Sequence, residues 1–236
     1  MESVSAGFDD ALTAALVRWR IAITPEQLER LRGHFEALLE ANQVMNLTRI
    51  VDPVEAAIKH YADSLAVLCW VRDSNIKVRT VLDLGTGAGF PAVPLAVMRP
   101  DWSVIAVDST GKKIDFVART ASSLGLHNLR CQHAHSAHWK TEQSFDLVVM
   151  KALGPLERCL QAGTGFLAST GRLVAYKTAT QVQTESKKAA PTARKLHLKA
   201  DEPYSYELVW NDETMDRVLA IYRREERGKG RSSRSR

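Results

Sequence analysis

Apolar residues recur at helical spacing through the first 75 residues. Positions 8–21 follow that rhythm, and Leu28, Leu31, Phe35, Leu38 and Leu39 form one apolar stripe. The stripe has a marked beginning: Thr24 suits the N-cap, Pro25 the first helical position, and Gln27 the reciprocal capping-box partner. Asp52-Pro53-Val54-Glu55 repeats the start signal and predicts a helix to about Trp70, with Ala57, Ile58, Tyr61, Leu65 and Leu68 facing inward.

The pattern changes after Asn75. Short β-branched apolar runs at 78–85, 102–108, 145–150 and 172–177 alternate with helical stretches at 91–98, 111–124 and 155–168. Residues 129–133 read as a weaker strand. Such alternation predicts a parallel sheet covered on both faces. Residues 178–200 read as a helix and then a loop, and 204–210 with 216–223 as a closing hairpin. The expected organisation is a helical N-terminal cap over 1–75, a doubly wound α/β core over 76–222, and a basic tail over 223–236 that is disordered by composition.

Charge refines this picture. The net charge is +5, from 32 Lys and Arg against 27 Asp and Glu. Residues 223–236 hold seven Lys and Arg and two Glu, so they alone carry +5. This segment suits either an RNA-binding arm that gains by counterion release or a solubilising terminus. No apolar run approaches the roughly 20 residues of a membrane span. The first residues lack a signal-peptide pattern, and Cys69, Cys131 and Cys159 form no CxxC pair, so a cytoplasmic location is expected.

The candidate chemistry lies where the first strand meets its helix: Asp83-Leu84-Gly85-Thr86-Gly87-Ala88-Gly89-Phe90. Glycines there admit a ligand close to the backbone. A second acid, Asp108, ends the next strand and can accept hydrogen bonds from both hydroxyls of an adenosine ribose. A dinucleotide site wants GxGxxG so that pyrophosphate meets the helix N-terminus. Here the spacing is GxGxG, and Asp83 precedes the first glycine by two residues. An acid at that point disfavours pyrophosphate and suits the cationic amino group of a methionine moiety. The spacing therefore implies S-adenosylmethionine rather than NAD.

The residues after the fourth strand, Met150-Lys151-Ala152-Leu153-Gly154-Pro155, constrain the acceptor. The Asn/Asp-Pro-Pro-aromatic run of adenine amino-methyltransferases is absent. Cys159 sits on a predicted helix, where an inert buried thiol is expected rather than a nucleophile. An acceptor that needs no strong base remains open, guanine N7 among them.

These residues resemble a known family, the small-subunit ribosomal RNA guanine-N7 methyltransferases, also called glucose-inhibited division protein B. The resemblance covers roughly residues 25–222. Asn46-Leu47-Thr48 with Asp52-Pro53 is similar to the family's NLT…DP segment, and His60-Tyr61-Ala62-Asp63-Ser64 to its HxxDS. Residues 83–96, DLGTGAGFPAVPLA, are similar to its DVGTGxGxPGIPLA, and Asp108-Ser109 with Lys112-Lys113 to its DSxxKR. The resemblance implies a Rossmann-like class I fold and methylation of a guanine at N7 in the decoding region of 16S rRNA, with 16S rRNA or the small ribosomal subunit as partner and the protein acting as a monomer. It implies a cofactor site lined by Gly85, Phe90, the backbone around Ser136-Ala137, and Lys151. With the glycine-loop reading, the expected set is Asp83, Gly85, Gly87, Gly89, Phe90, Asp108, Ser136, Ala137 and Lys151, with Lys151 also facing the acceptor. Lys151 stands where the family has Arg, which removes the planar two-pronged donor. Ala137 stands where the family often has an acid, and Lys177-Thr178 where it has Lys-Gly.

Other features admit plainer readings. His60 and Asp63, one turn apart, either approach the RNA cleft or share a local hydrogen bond that fixes the cap. His133, His135 and His138 lack a matching Cys or acid for zinc, so no metal is expected. Lys112 and Lys113 suit a phosphate contact or a solvated face. Two functional alternatives stay open: a methyltransferase of the same fold with a small-molecule or protein acceptor, and a ribosome-binding factor that has lost catalysis.

Overall fold

A computed structural model describes residues 2–136 and 138–225. The first two helices are α1 (Glu2–Arg18) and α2 (Pro25–Met45). The capping box forms as its residues dictate: Gln27 N donates to Thr24 Oγ1 at 3.2 Å, and Thr24 N donates to Gln27 Oε1 at 3.0 Å. Asn46 ends α2 in the left-handed region. The Asn42 side chain then holds the next loop, donating to Thr48 O at 3.0 Å and accepting from Thr48 N at 2.9 Å. The helix opened by Asp52 runs through α3 (Pro53–Ala56), a π-helical stretch Ala57–Ala62, and α4 (Asp63–Asp73). The wider turn moves His60 and Asp63 off the common face that regular helical spacing gives them.

Among the described residues eight strands form one sheet: β1 (Thr80–Leu84), β2 (Ser103–Asp108), β3 (Leu129–His133), β4 (Phe145–Lys151), β5 (Leu167–Thr178), β6 (Leu198–Ala200), β7 (Tyr204–Trp210) and β8 (Glu213–Arg224). Their order is β3-β2-β1-β4-β5-β8-β6, with β7 also paired to β8. β1 to β5 run parallel, and β8 is antiparallel to β5, β6 and β7. The helices α5 (Ala92–Met98), α6 (Gly111–Ser123), α7 (Leu156–Gly163) and α8 (Ala179–Lys195) cover the faces. Three expectations change: the tail expected from 223 starts later, because Arg223 and Arg224 pair within β8. The helix expected over 155–168 stops near Phe166, and β5 starts at Leu167 because Gly171 lets the chain reach Phe145. The loop expected after α8 contains β6, whose backbone completes the edge of β8.

The N-terminal helices share their core with one face of the sheet: Phe8, Leu12, Phe35 and Tyr61 pack in one cluster with Val93, Val117, Val149 and Val174. The opposite face packs Leu82, Val148 and Leu173 against Leu156, Leu160 and Ala189 of α7 and α8. Strand order reverses beside β1, so the crevice for a ligand opens at the carboxyl ends of β1, β2 and β4.

At Gly171 a Cβ would lie 2.5 Å from Phe145 O and 3.2 Å from Ala168 N, both backbone atoms that cannot swing aside. Gly171→Ala is therefore expected to destabilise the fold by about 2 kcal/mol, read as a lowered midpoint in urea unfolding; an unchanged midpoint would show that the β4–β5 register yields freely.

Candidate active site

A cavity of about 350 Å³ opens at this crevice. Its floor is the glycine loop. Gly85, Gly87 and Gly89 have φ of 79°, 59° and 100°, values that suit glycine. Gly85 N and Thr86 N donate to Val107 O at 2.8 and 3.0 Å, tying the loop to the end of β2. Asp108 closes the turn, accepting from Gly87 N at 2.9 Å and Thr110 N at 2.8 Å, and its carboxylate borders the cavity. Each oxygen keeps a second lone pair for a ligand hydroxyl. A Cβ at Gly87 would meet nothing within 4 Å, whereas one at Gly85 would lie 2.6 Å from Leu153 Cδ1. The loop after β4 thus packs directly on the glycine loop, with Ala152 in the left-handed region at φ 57°.

Of the expected residues, Gly85, Gly87, Phe90, Asp108, Ser136 and Lys151 line the cavity. Ala137 lies outside the described residues. Gly89 and Asp83 do not line it, and Lys151 lines it with its charged end turned away. Gly89 faces the helical layer, where a Cβ would approach Val93 to 2.8 Å and His34 Nε2 to 3.2 Å; its smallness serves packing. Asp83 is fully buried behind the loop, with Oδ2 accepting from Ala92 N at 3.1 Å. Burial pushes its carboxyl up to about 8, against the lowering effect of the neighbouring Thr86 hydroxyl and of Ala92 N. Lys151 borders the cavity, but its ammonium turns to the cap: Nζ lies 2.9 Å from Asp63 Oδ2 and donates to Lys59 O at 3.0 Å and His60 O at 3.2 Å. Those bonds engage its three protons, so it positions the roof and offers none to an acceptor.

Asp63 is the centre of this arrangement. It is 2 % exposed and meets Lys151, the Arg217 guanidinium at 3.0 and 3.1 Å, and Tyr206 Oη at 2.7 Å. Burial works to raise its carboxyl, but the Lys151 and Arg217 charges outweigh it and hold it below the usual range. Burial lowers Lys151 in turn, against the pull of Asp63. His60 does not bond Asp63. It stacks on Phe90, with ring centroids 4.7 Å apart and planes 21° apart, and Nε2 lies 2.9 Å from Thr48 Oγ1. Burial, then the nearby Lys151 charge, lowers it to about 3, so it stays neutral.

Besides Leu47, Thr48, His60 and Thr86, which line the cavity, two further residues outside the expected set shape the site. His34, fully buried on α2, reaches across to the glycine loop: its Nε2 lies 2.9 Å from Ala88 O, and its Nδ1 lies 2.8 Å from Tyr61 Oη. A carbonyl only accepts, so Nε2 carries the proton and Nδ1 accepts from Tyr61. Burial lowers His34 to about 4, keeping that tautomer neutral. Arg158 is the other, a cation at the cavity wall beside Gly154. The sequence signal for His34 was its place on the α2 apolar stripe, one residue before Phe35. Cys159 is 1 % exposed and its thiol is pushed up to about 11, as an inert core thiol should be.

A glycine cradle open at Gly87, a ribose-type acid at Asp108 on the cavity border, and a buried carboxyl at Asp83 behind the loop fit S-adenosylmethionine. Fold and site together define a Rossmann-like class I S-adenosylmethionine-dependent methyltransferase. The fold matches that of an S-adenosylmethionine-dependent methyltransferase from Clostridium acetobutylicum, with a TM-score of 0.56 at 11% identity over 80% of this chain and 98% of that one. The family model for rRNA small subunit methyltransferase G matches residues 27–204. Proteins named ribosomal RNA small subunit methyltransferase G are similar along much of the chain. That of Lysinibacillus sphaericus is 32% identical over 88% of this chain and 87% of its own length. That of Anaeromyxobacter is 39% identical over 71% and 77%. The chain belongs to this family, the GidB family, and is an enzyme of it.

Asp63→Ala should destabilise the fold by about 3–5 kcal/mol by stranding two buried cations. Because the folded carboxyl is held low, its contribution is present above the ordinary carboxylate value near 4 and fades as pH falls through the lowered one. Urea unfolding across pH 3 to 7 should show that acid limb in the wild type and not in the variant; matching profiles would show that the cluster adds no stability.

Proposed function

We propose that this chain transfers the methyl group of S-adenosylmethionine to N7 of a guanine in 16S rRNA. The observation that carries the reading is the cavity wall where Phe90, at the end of the glycine loop, meets the N-terminal residues. Leu47, Thr48, His60 and Phe90 form it, with a flat His60–Phe90 stack and no strong base. When bound, the cofactor supplies an electrophilic methyl on a sulfonium sulfur. Guanine N7 has an in-plane lone pair and no proton to lose, so net charge passes from sulfur to purine with nothing to deprotonate. The site then needs to hold and align its two reactants. His60, with a conjugate acid near 3, is too weak a base for an acceptor that must lose a proton.

In this reading Asp108 holds the ribose, Thr86 and the Gly85–Gly87 backbone hold the methionine end, and Asp83 balances its amino cation from behind the loop. Phe90 and His60 give the acceptor base a planar surface, and Thr48 presents a hydroxyl at its edge. Residues 1–75 act as a cap that closes this wall over the core, 76–222. Of the basic segment 223–236, Arg223 and Arg224 belong to β8, and the sequence from 226 on, outside the described residues, adds affinity for RNA; the protein works as a monomer in the cytoplasm. Among the described residues no helix is long and apolar enough to cross a membrane.

Methyl transfer from labelled cofactor to unmodified 30S subunits and to naked 16S rRNA, with mapping of the modified base, should give a single N7-methylguanosine. Label in a base other than guanine, or in protein alone, would overturn the acceptor. The raised Asp83 carboxyl makes a second expectation. A cationic amino group favours its ionised form, so cofactor binding should release a proton below about pH 8 and weaken as pH falls from 8 to 6, by at most about tenfold per unit. Calorimetry in buffers of different ionisation enthalpy checks this; a flat Kd without proton release would remove Asp83 from the cofactor contacts.

A further inference from the structure

Away from the cavity, charge is sorted by sign along one edge of the molecule. Residues 186–200 contain Lys187, Lys188, Arg194, Lys195 and Lys199 and no acid, whereas 201–216 contain six acids and no Lys or Arg. The two segments are neighbours in sequence yet do not neutralise each other. The five cations are exposed, and none makes a side-chain hydrogen bond or ion pair among the described residues. The acids nearest in sequence are engaged elsewhere: Glu185 by Lys177 at 2.7 Å and Leu156 N at 2.6 Å, and Asp201 by Arg172 at 3.0 Å and Arg223 at 2.7 Å.

Geometry gathers these charges. Lys187 and Arg194, like Lys188 and Lys195, are seven residues apart, close to two turns, so the four form one stripe of α8. Ala189 and Ala193 bury the other side. β6 continues the stripe at the sheet edge, where Lys199 stands opposite Arg223, a pairing of like charges that a strand ladder disfavours. Glu225 N donates to His197 O at 2.8 Å, so the chain leaves the described residues at this same edge. The sequence beyond, 227–236, carries five more Lys and Arg and no acid. α8 begins at the carboxyl end of β5, beside the cavity end of the sheet, and its 17 residues run back for about 25 Å. Its cations lie in the later half, away from the methyl-transfer site.

We propose that the α8–β6 edge is a second RNA-docking surface, which grips the phosphate backbone at a distance from the acceptor base. The inference rests on the reading that the substrate is ribosomal RNA. An uncompensated stripe of cations releases counterions when phosphates replace them, while the acidic stretch 201–216 repels the same strand and limits where it can lie. The surface sets how firmly a large RNA is held; the cavity alone sets what happens to the base.

The test replaces Lys187, Lys188, Arg194, Lys195 and Lys199 together by Gln, which keeps helix propensity, and compares a variant with every Lys and Arg of the set exchanged for the other. Methyl transfer to 30S subunits and 16S rRNA is measured over a range of KCl. For the Gln variant KM for RNA should rise tenfold or more near physiological salt, with kcat at saturating RNA and cofactor Kd unchanged. The slope of log(kcat/KM) on log salt should become shallower by about 3. The exchanged variant should behave as wild type. Wild-type KM and salt slope in the Gln variant would overturn the surface, as would a loss confined to kcat. If the wild type labels no RNA, the proposed activity fails by itself; filter binding of 16S rRNA then decides the surface, and equal affinity of wild type and Gln variant would overturn it.

Discussion

A carboxylate that is 2 % exposed cannot remain ionised without partners, and the fold is arranged around the partners that Asp63 finds. They come from elements far apart in sequence: Lys151 from the end of β4, Arg217 from β8, Tyr206 from β7. Through one side chain the helix that carries the cavity roof is fixed to the parallel part of the sheet and to its antiparallel extension. Tyr176 Oη reinforces the join by donating to Ser64 O at 2.8 Å. The Lys151 ammonium also gathers the carbonyls of Lys59 and His60, which the π-helical stretch turns toward it. The position of His60, and hence its stack on Phe90, depends on where this charge cluster holds the helix.

The glycine loop is held from two sides. Asp108 and Val107 grip Gly87, Gly85 and Thr86 from the sheet, and His34 grips Ala88 from α2. A loop with three glycines at positive φ has high conformational freedom when unfolded. Fixing it before a ligand arrives removes that ordering from the binding step. The Ala88 grip requires a neutral His34, which burial ensures, and it makes the N-terminal helices part of the cofactor site without contact to the ligand.

The features legible in the sequence were mostly local. Thr24 and Gln27 announce the start of α2; β-branched runs announce β1, β2 and β4; GxGxG with Asp108 beyond it announces a nucleoside site. These signals depend on short spacings within or between neighbouring elements. Asp63 and Lys151 were both visible as motif residues, but they lie in elements far apart in sequence, and no local pattern says that a lysine at a strand end will turn from the cavity to a buried acid. The same holds for His34, which reads as one polar interruption of an apolar stripe until the fold brings Ala88 beside it. β6 carries no such signal, because three residues at an edge take their strand character from β8 rather than from their own propensity.

The lysine at 151 takes its meaning from the cluster. Arg217 already occupies both Asp63 oxygens in a two-pronged approach. A second planar guanidinium would compete for the same plane of the carboxylate, whereas an ammonium needs one oxygen and can direct its other protons to the helix carbonyls. Lysine at this position therefore suits a site in which the fork is supplied by β8. Its ammonium holds the helix above the cavity by three bonds, and the cavity wall keeps the neutral, flat His60–Phe90 stack. That is the environment an acceptor with a free lone pair requires, since alignment rather than proton removal governs its reaction.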